Sequence, residues 1–321
     1  MPTVGLVASQ NGLGHARRLM YFSAAFREVG YEAYLFLSSR QVQKLSREIG
    51  EISPKTIVRE IDGYGLDGPT QSGSEVREVP ESLQLQLKQF DFVLSDNLMW
   101  PGSFLNTFIL MGHFTWVDYW KSRQTNKEFE ISKATFHASK ISKWYSPVDF
   151  SQMPTYLSGI ERIEIPLSKY VSDPKTIQNL DMNSVSFSNG TTSLNQSDEH
   201  ELRLQLENIG LALVTKESHS YQDSQIPAIT LGRPGFGTIR DCLAFGIPFL
   251  PCWEGDDPEL KSNEAALKRI GLIPVAWEGN QKPNIKIIRE FLNDKEIQDR
   301  IRNYWIKNSA PITEILTRMG F

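Results

Sequence analysis

Short apolar and β-branched runs alternate along this chain with longer segments whose apolar residues recur at helical spacing. The runs at 4–8, 31–38 and 56–61 predict strands, and the segments between them predict helices. The same alternation restarts at 184–187 and continues to about residue 270. Because strands that alternate with helices usually form a parallel sheet covered on both faces, we expect an α/β protein with two doubly wound, Rossmann-like domains.

The periodicity weakens at 150–177, where three prolines occur, so this region is expected to be a linker. The predicted domains therefore span residues 1–170 and 171–321. A helical pattern at 294–321 is assigned to the second domain as its terminal helix. The stretch 62–78, rich in glycine, aspartate and serine, is too long for a plain connection and is expected to be a mobile binding loop.

Composition and charge narrow the classes of function. With 40% apolar and 22% charged residues, the chain can bury a full core and is not a disordered or disulfide-stapled protein. Its net charge of −4 argues against a protein that mainly binds nucleic acid, because that task needs clustered positive charge. Cys242 and Cys252 fit neither a zinc spacing nor a secreted disulfide framework, which favours the reducing cytoplasm.

No apolar stretch approaches the roughly 20 residues that cross a bilayer. Residues 1–10 have no basic region before their short apolar run, so they are expected to form a first strand rather than a signal peptide. A cytoplasmic protein without a transmembrane segment is therefore expected, and peripheral contact with the inner membrane surface stays open.

A glycine-rich turn follows the first predicted strand, and His15 comes directly after its second glycine, Gly14. The turn is not the dinucleotide fingerprint, which would place a glycine where this chain has Arg17. Small residues let a ligand approach the backbone, and a histidine in that place can accept a proton near neutral pH. The hypothesis is that His15 is a general base, and the structural alternative is a residue that caps the helix.

A second glycine-rich junction lies at 231–241 and leads into a helix that is expected to begin near Thr238. Glycines before a helix and a threonine at its start suit a diphosphate bound at the helix N-terminus. Asp241, one turn into this helix, is expected to accept hydrogen bonds from ribose hydroxyls. The structural alternative is a glycine-rich turn that binds no ligand.

Both junctions resemble motifs of one group of enzymes. The stretch 232–265 resembles the nucleotide-sugar signature of GT-B glycosyltransferases, in the group of the lipid II N-acetylglucosaminyltransferase and the UDP-glycosyltransferases. The run at 12–18 resembles the Gly-x-Gly-His-x-x-Arg opening of this group, which also occurs in the UDP-sugar hydrolase of pseudaminic acid synthesis. The resemblance implies two Rossmann-like domains that face a cleft, with the acceptor in the N-terminal domain and the donor mainly in the C-terminal one.

The resemblance also implies a set of donor-binding residues. They are Gly14, Asn189, Gly190, Thr191, Arg233, Gly235, Phe236, Gly237, Thr238, Asp241, Glu259 and Asn263. Asp241 departs from the family, which usually has glutamate at the ribose position, and Glu264 intervenes before the alanine that normally follows the asparagine. Because of these departures, neither the sugar nor the nucleotide can be identified, although a UDP-linked donor is favoured.

The resemblance further implies that Asp96, at the end of a predicted strand, orients His15. Carboxyl ends of strands form the ligand-binding edge of open α/β sheets, and the structural alternative is an aspartate that caps a loop. His113, Trp116 and Arg18 are candidates for the acceptor site, and the structural alternative for His113 and Trp116 is packing in the core. No cluster of acidic, histidine or cysteine residues calls for a metal, and no cofactor is expected, because the nucleotide sugar is a substrate.

Three functions are consistent with these features. The leading one is an inverting glycosyltransferase that moves a sugar from a nucleotide-sugar donor to an acceptor hydroxyl, on a glycan, a lipid-linked molecule or a small molecule. The second is a nucleotide-sugar hydrolase in which water replaces the acceptor. The third is a non-catalytic protein that binds a nucleotide or a glycan.

Overall fold

The computed structural model describes most of the chain, in segments separated by short gaps. The described residues are 1–9, 13–49, 57–60, 79–122, 135–150, 159–170, 180–188, 196–216, 226–280, 284–294 and 296–321. They form two compact units, Met1–Ser168 with Ala310–Phe321, and Lys169–Ser309. The expected binding loop at 62–78 lies outside the described residues.

The strands and helices alternate along the chain as the pattern predicts. The strands are β1 (Thr3–Ala8), β2 (Glu32–Leu37), β3 (Ile57–Glu60), β4 (Phe92–Asp96), β5 (Phe108–Met111), β6 (Ile141–Pro147), β7 (Arg162–Ile165), β8 (Leu167–Lys169), β9 (Leu180–Ser188), β10 (Ala212–Lys216), β11 (Ile226–Gly232), β12 (Phe249–Pro251) and β13 (Ser309–Pro311). The helices are α1 (Leu13–Glu28), α2 (Ser39–Ile49), α3 (Glu81–Leu87), α4 (Trp116–Ser122), α5 (Gln196–Glu207), α6 (Phe236–Ala244), α7 (Pro258–Arg269), α8 (Ile285–Leu292), α9 (Ile297–Asn308) and α10 (Ile312–Met319), and a 3-10 turn spans Trp100–Ser103.

The first unit contains a parallel sheet in the order β3-β2-β1-β4-β5-β6-β7. Its central strand β1 is apolar and buried on both faces, as expected for a parallel sheet covered by helices. On one side of the sheet, Trp100 and Trp144 pack among buried aliphatic side chains such as Leu87 and Leu110. The large rings fill the layer between the strands and α3.

The second unit contains a smaller parallel sheet in the order β10-β9-β11-β12. Every residue of β11 is buried, so this strand forms the centre of the unit. Glu264 on α7 departs from the family pattern, and its carboxylate accepts hydrogen bonds from Trp253 Nε1 at 2.9 Å and from the Gly279 amide at 3.1 Å. The departure therefore has a structural use, because it ties the segment around Gly279 to the end of β12.

The chain returns to the first unit after it has formed the second. The sequence assigned 294–321 to the C-terminal domain as one terminal helix, whereas two helices form there and Ala310–Phe321 belong to the first unit. The reason is aromatic packing, since Phe321 stacks on Phe92 with ring centroids 4.6 Å apart and meets Phe26 edge-on at 5.2 Å. The Tyr145 hydroxyl also donates a hydrogen bond to the Met319 carbonyl at 2.9 Å.

Two further expectations differ from the structure. The expected linker at 150–177 contains β7 and β8, and β6 and α8 were not predicted. Polar residues interrupt the apolar pattern in β6 (Ser142, Lys143), so the signal for a strand is weak there. Among the described residues, no helix is both long and apolar enough to span a bilayer.

Phe321→Ala should destabilise the first unit by about 1–2 kcal/mol, because the ring is partly buried and aromatic packing adds to the area that is removed from water. Thermal and urea unfolding would measure the change. Arg318→Ala, in the last turn of α10 before Phe321, is the control, since its ion pair with Glu314 is exposed and its loss should change stability by less than about 0.5 kcal/mol. Equal effects of the two substitutions would contradict the proposed docking of α10 by Phe321.

Candidate functional site

Strand register brings the first group of predicted site residues together. β1 and β4 are neighbouring parallel strands, and Ala8 at the end of β1 pairs with Asp96 at the end of β4. α1 begins at Leu13, so its first turn lies at the same carboxyl edge of the sheet. His15 and Arg18 are three residues apart on α1 and share one face of the helix. The fold thus directs both side chains toward Asp96.

The three side chains form a buried polar cluster. His15 Nδ1 lies 3.1 Å from Asp96 Oδ1, and Arg18 Nη2 lies 3.3 Å from the same imidazole nitrogen. The Arg18 guanidinium donates two hydrogen bonds to Asp96, from Nε to Oδ2 at 2.9 Å and from Nη2 to Oδ1 at 2.6 Å. The Asp96 side chain is fully buried, whereas His15 keeps 13% of its side chain exposed. The sequence hypothesis that pairs Asp96 with His15 therefore has the contact that it requires.

The charges in this cluster determine the protonation state of Asp96. Burial by itself would raise the pKa of this carboxyl, but the positive charge of Arg18, the neighbouring His15 and their hydrogen bonds together hold the pKa below its usual range. A carboxylate with two donors from one guanidinium is well compensated for the loss of water. Asp96 is therefore a fixed negative charge in the folded protein.

A strained residue that the sequence analysis missed follows directly after Asp96. Asn97 has a left-handed backbone with φ of 64°, which asparagine tolerates better than most residues. Its side chain is buried, and neither amide atom has a hydrogen-bond partner among the described residues. A Cβ on Gly112 would lie 1.5 Å from Asn97 Oδ1, so only glycine fits beside it. This close packing fixes the turn that carries Asp96.

The three acceptor-site candidates, His113, Trp116 and Arg18, have different surroundings in the structure. His113 is 5% exposed and packs edge-on against Phe114 with centroids 4.8 Å apart, so it is part of the core rather than an open surface. Trp116 begins α4, but its side chain lies outside the described residues. Arg18 donates hydrogen bonds to Asp96.

The start of α4, just after His113, is capped by a side chain. The Thr115 hydroxyl donates to Asp118 at 2.6 Å and accepts the Asp118 amide at 3.1 Å.

The second glycine-rich junction forms the N-terminus of α6, as predicted, but the helix begins at Phe236, two residues before Thr238. Gly235 is the N-cap residue, and no side chain of the described residues caps the helix there. A Cβ on Gly235 would meet no described atom within 4 Å, and Gly237 in the first turn is exposed. The helix therefore presents backbone N–H groups at an open surface, where its dipole favours an anion.

Two of the side chains expected to bind the donor, Asn263 and Arg233, also have partners within the protein near this loop. Asn263 on α7 is 1% exposed and donates its amide to the Pro234 carbonyl at 2.8 Å. Arg233 Nη2 lies 3.4 Å from Asp257, whose other carboxylate oxygen caps α7 by accepting the Glu259 amide at 2.9 Å. The Glu259 side chain is partly exposed. These contacts hold the backbone before α6 in place.

Asp241 lies one turn into α6, where the sequence predicts it, but it has a partner within the protein. Arg240 Nη1 donates to Asp241 Oδ1 at 2.8 Å, and both side chains are almost fully buried. The Arg240 guanidinium carbon lies 3.5 Å from the centre of the Tyr170 ring and 5.3 Å from that of Trp305. A carboxylate can accept several hydrogen bonds, so Asp241 keeps capacity for ribose hydroxyls beside Arg240.

Of the remaining candidates, Asn189, Gly190 and Thr191 lie outside the described residues. Gly14 is in the first turn of α1, and a Cβ there would meet no described atom within 4 Å, so the backbone before His15 is open to a ligand. Within the described segments, no three histidine, cysteine, aspartate or glutamate residues gather in a way that could hold a metal ion.

Comparison with solved structures finds this fold in proteins of very different sequence. LpCGTa in complex with UDP has a TM-score of 0.68 at 12% identity over the whole of both chains. UGT2 of Phytolacca americana, complexed with UDP-2fluoro-glucose and pterostilbene, has a TM-score of 0.67 at 10% identity over 100% of this chain and 99% of that one.

The glycosyltransferase SsfS6 of Streptomyces sp. SF2575, complexed with thymidine diphosphate, has a TM-score of 0.60 at 13% identity over 99% of this chain and 100% of that one. No family model and no curated protein matches the sequence. Identities this low show the fold alone. The chain therefore has the fold of these proteins, and the predicted α/β fold with parallel sheets is confirmed.

The lowered pKa of Asp96 predicts how stability depends on pH. A carboxyl whose pKa falls on folding stabilises the protein above the unfolded pKa of about 3.9, and this contribution is lost as the pH falls through the folded value. Asp96→Asn should therefore cost about 3 kcal/mol at pH 7, because it leaves Arg18 buried without a counter-charge. The difference from wild type should shrink below about pH 4.

Urea unfolding of both proteins between neutral and acid pH would measure this difference. Glu314→Gln is the control, because it removes an exposed ion pair in the same unit and should have little effect at any pH. If Asp96→Asn and wild type differ by the same amount at pH 3 as at pH 7, Asp96 does not titrate as described.

Proposed function

We propose that this protein is an inverting glycosyltransferase that moves a sugar from a nucleotide-sugar donor to an acceptor hydroxyl, with His15 as the general base. The observation that carries the proposal is the contact of His15 Nδ1 with the buried Asp96 carboxylate at 3.1 Å. A carboxylate only accepts hydrogen bonds, so this contact favours the imidazole with its proton on Nδ1. Nε2 is then unprotonated and can act as a base.

Exposure of the three side chains supports the same assignment. Asp96 is inaccessible to solvent and Arg18 nearly so, while His15 keeps 13% of its side chain exposed. A base must reach its substrate, whereas the groups that orient it need only reach the base. His15 is therefore the member of the cluster that can meet an acceptor hydroxyl.

The reaction that follows is a single displacement. His15 Nε2 removes the proton of the acceptor hydroxyl while that oxygen forms a bond to the anomeric carbon of the donor sugar. The bond from this carbon to the diphosphate oxygen breaks, and its electron pair leaves with the nucleoside diphosphate. Attack from the face opposite the leaving group inverts the anomeric centre. Asp96 stabilises the imidazolium that forms on His15.

The donor is assigned to the second unit on the geometry of α6. Gly235 and Gly237 leave the helix N-terminus open, and its N–H groups and dipole are suited to the negative charge of a diphosphate leaving group. Asp241 is assigned to the ribose, with Arg240 holding one of its oxygens. The proteins of similar fold were solved with UDP and with thymidine diphosphate, which supports a pyrimidine nucleoside diphosphate as the leaving group.

His15→Ala should lower the turnover of the donor by about two to four orders of magnitude, because proton transfer by a positioned base contributes on that scale. Nucleotide binding should change little, since the donor-binding candidates other than Gly14 belong to the other unit. A thermal-shift screen of UDP-, GDP-, TDP- and CMP-sugars would first identify the donor, because a ligand that binds the folded state raises the unfolding temperature. Release of nucleoside diphosphate with and without candidate acceptors would then measure turnover.

His200→Ala is the matched control, because His200 is an exposed histidine on α5. Full turnover by His15→Ala would refute the role of His15 as the base. Equal release of nucleotide with and without every acceptor would identify the protein as a nucleotide-sugar hydrolase. Binding without any turnover would identify a non-catalytic nucleotide binder.

Gly235→Val should weaken binding of the nucleotide sugar at least tenfold without unfolding the protein. Gly235 has an ordinary extended backbone with φ of −68°, and no atom of the described residues other than its chain neighbours lies within 4 Å of the position that a Cβ would take, so the described part of the fold accommodates the branched side chain. A diphosphate at the start of α6 would collide with it. Calorimetry should show a smaller loss for Gly235→Ala, and unchanged affinity in both variants would place the donor elsewhere.

A further inference from the structure

The guanidinium of Arg18 contacts both Asp96 and His15. Neither the sequence analysis nor the proposed reaction requires this pair of contacts. It donates two hydrogen bonds to Asp96, and its Nη2 is 3.3 Å from His15 Nδ1. Its side chain is only 9% exposed, so this contact is not an exposed surface ion pair. The sequence assigns Arg18 to the acceptor, whereas the structure holds its guanidinium against Asp96.

The geometry sets two opposite charges beside one imidazole. In the described part of the chain, the charged groups within hydrogen-bond distance of His15 are Arg18 on its own helix and Asp96 at the end of β4. Protonation of His15 is favoured by the carboxylate and opposed by the guanidinium. With Arg18 present, the cluster is neutral when the imidazole is uncharged. Without Arg18, the same cluster would carry one buried negative charge, and uptake of a proton would neutralise it.

The two hydrogen bonds from Arg18 also fix the direction in which the Asp96 carboxylate points. Nε and Nη2 of Arg18 contact different oxygens of Asp96, and such a two-point contact fixes the plane of a carboxylate. Oδ1 is the oxygen that faces His15 Nδ1. A lysine at position 18 would preserve the charge but could not hold the carboxylate at two points. Substitution of Arg18 by lysine or glutamine can therefore separate the effect of its charge on His15 from its effect on the orientation of Asp96.

We propose that Arg18 is the positioning residue of the proposed His15–Asp96 pair: its two-point contact holds the Asp96 carboxylate toward His15, and its positive charge balances that carboxylate beside the imidazole. This inference rests on the proposed function. A base that is already protonated cannot accept the acceptor's proton, so a carboxylate beside the imidazole with no cation to balance it would work against the first step. Arg18 offsets that effect and leaves Asp96 able to stabilise the imidazolium once it forms.

The test is an NMR titration of His15 in the full-length protein without any substrate. The chain has five histidines, so loss of one signal in His15→Gln assigns the resonance. In Arg18→Gln the midpoint of the His15 titration should rise by about one to two pH units, the usual effect of removing a neighbouring charge. In Arg18→Lys, which keeps the charge, the midpoint should stay within about 0.3 units of wild type if the ammonium occupies the same place.

Three results would overturn the proposal. These are an unchanged or lower midpoint in Arg18→Gln, a rise in Arg18→Lys as large as that in Arg18→Gln, and a wild-type nitrogen spectrum that places the proton of neutral His15 on Nε2. Should Arg18→Gln fail to fold, Asp96→Asn tests the same electrostatics with the opposite sign, since Arg18 alone would then lower the midpoint by about one unit. An unchanged midpoint in that variant would also overturn the proposal.

The titration keeps this inference separate from the proposed function. It needs neither donor nor acceptor, so a protein that transfers no sugar would still show the effect of Arg18 on His15. Conversely, a transferase in which Arg18 binds the acceptor would show an increased KM in Arg18→Gln with an unmoved midpoint.

Discussion

The cluster of His15, Arg18 and Asp96 at the carboxyl edge of the first unit's sheet depends on the buried contact between Asp96 and Arg18. A carboxylate with no exposed surface is costly unless its charge is compensated, and the two hydrogen bonds from one guanidinium supply that compensation. The contact joins the end of β4 to the first turns of α1, so it also fixes where α1 lies relative to the sheet. His15 takes its place from the same helix, because it lies one turn before Arg18.

The predicted site of the second unit is built mainly from backbone. Two polar side chains near it are buried and bind backbone groups: Asn263 donates to the Pro234 carbonyl, and Glu264 accepts the Gly279 amide. The backbone at the start of α6, beside Gly235, lies at the surface. A site of this kind recognises charge through N–H groups, so it can bind the diphosphate shared by many nucleotides while other contacts distinguish the base and the sugar.

Much of the fold was predictable because the strands of a covered parallel sheet are continuous apolar runs. The predictions of strands at 4–8 and 31–38 agree with β1 and β2 to within one residue at each end. β6 was not predicted because its first residues are polar and only partly buried, which removes the periodic signal. The place of α10 in the first unit could not be predicted, since it depends on packing between Phe321 and residues nearly 300 positions earlier, such as Phe26.

The candidate site likewise combines residues that a local sequence pattern identifies with contacts that form only between distant parts of the chain. His15, Asp96 and the start of α6 could be singled out as candidates because each lies at the end of a strand or turn with a recognisable pattern. The pairing of Arg18 with Asp96, and of Asn263 with a carbonyl, depends on which side chains meet after folding. A sequence shows that such side chains are polar, but it does not show whether they face a ligand or a neighbouring part of the protein.

The return of Ala310–Phe321 to the first unit has a consequence for the order of folding during synthesis. The first unit is interrupted in the chain by the whole of Lys169–Ser309, so the surface around Phe26 and Phe92 is made long before the segment that covers it. At ordinary rates of translation the delay is roughly 10 to 30 s, far longer than the folding time of most small domains. On the ribosome, the second unit therefore has time to fold completely while the first still exposes an aromatic patch, and the first unit is finished last although its synthesis begins first.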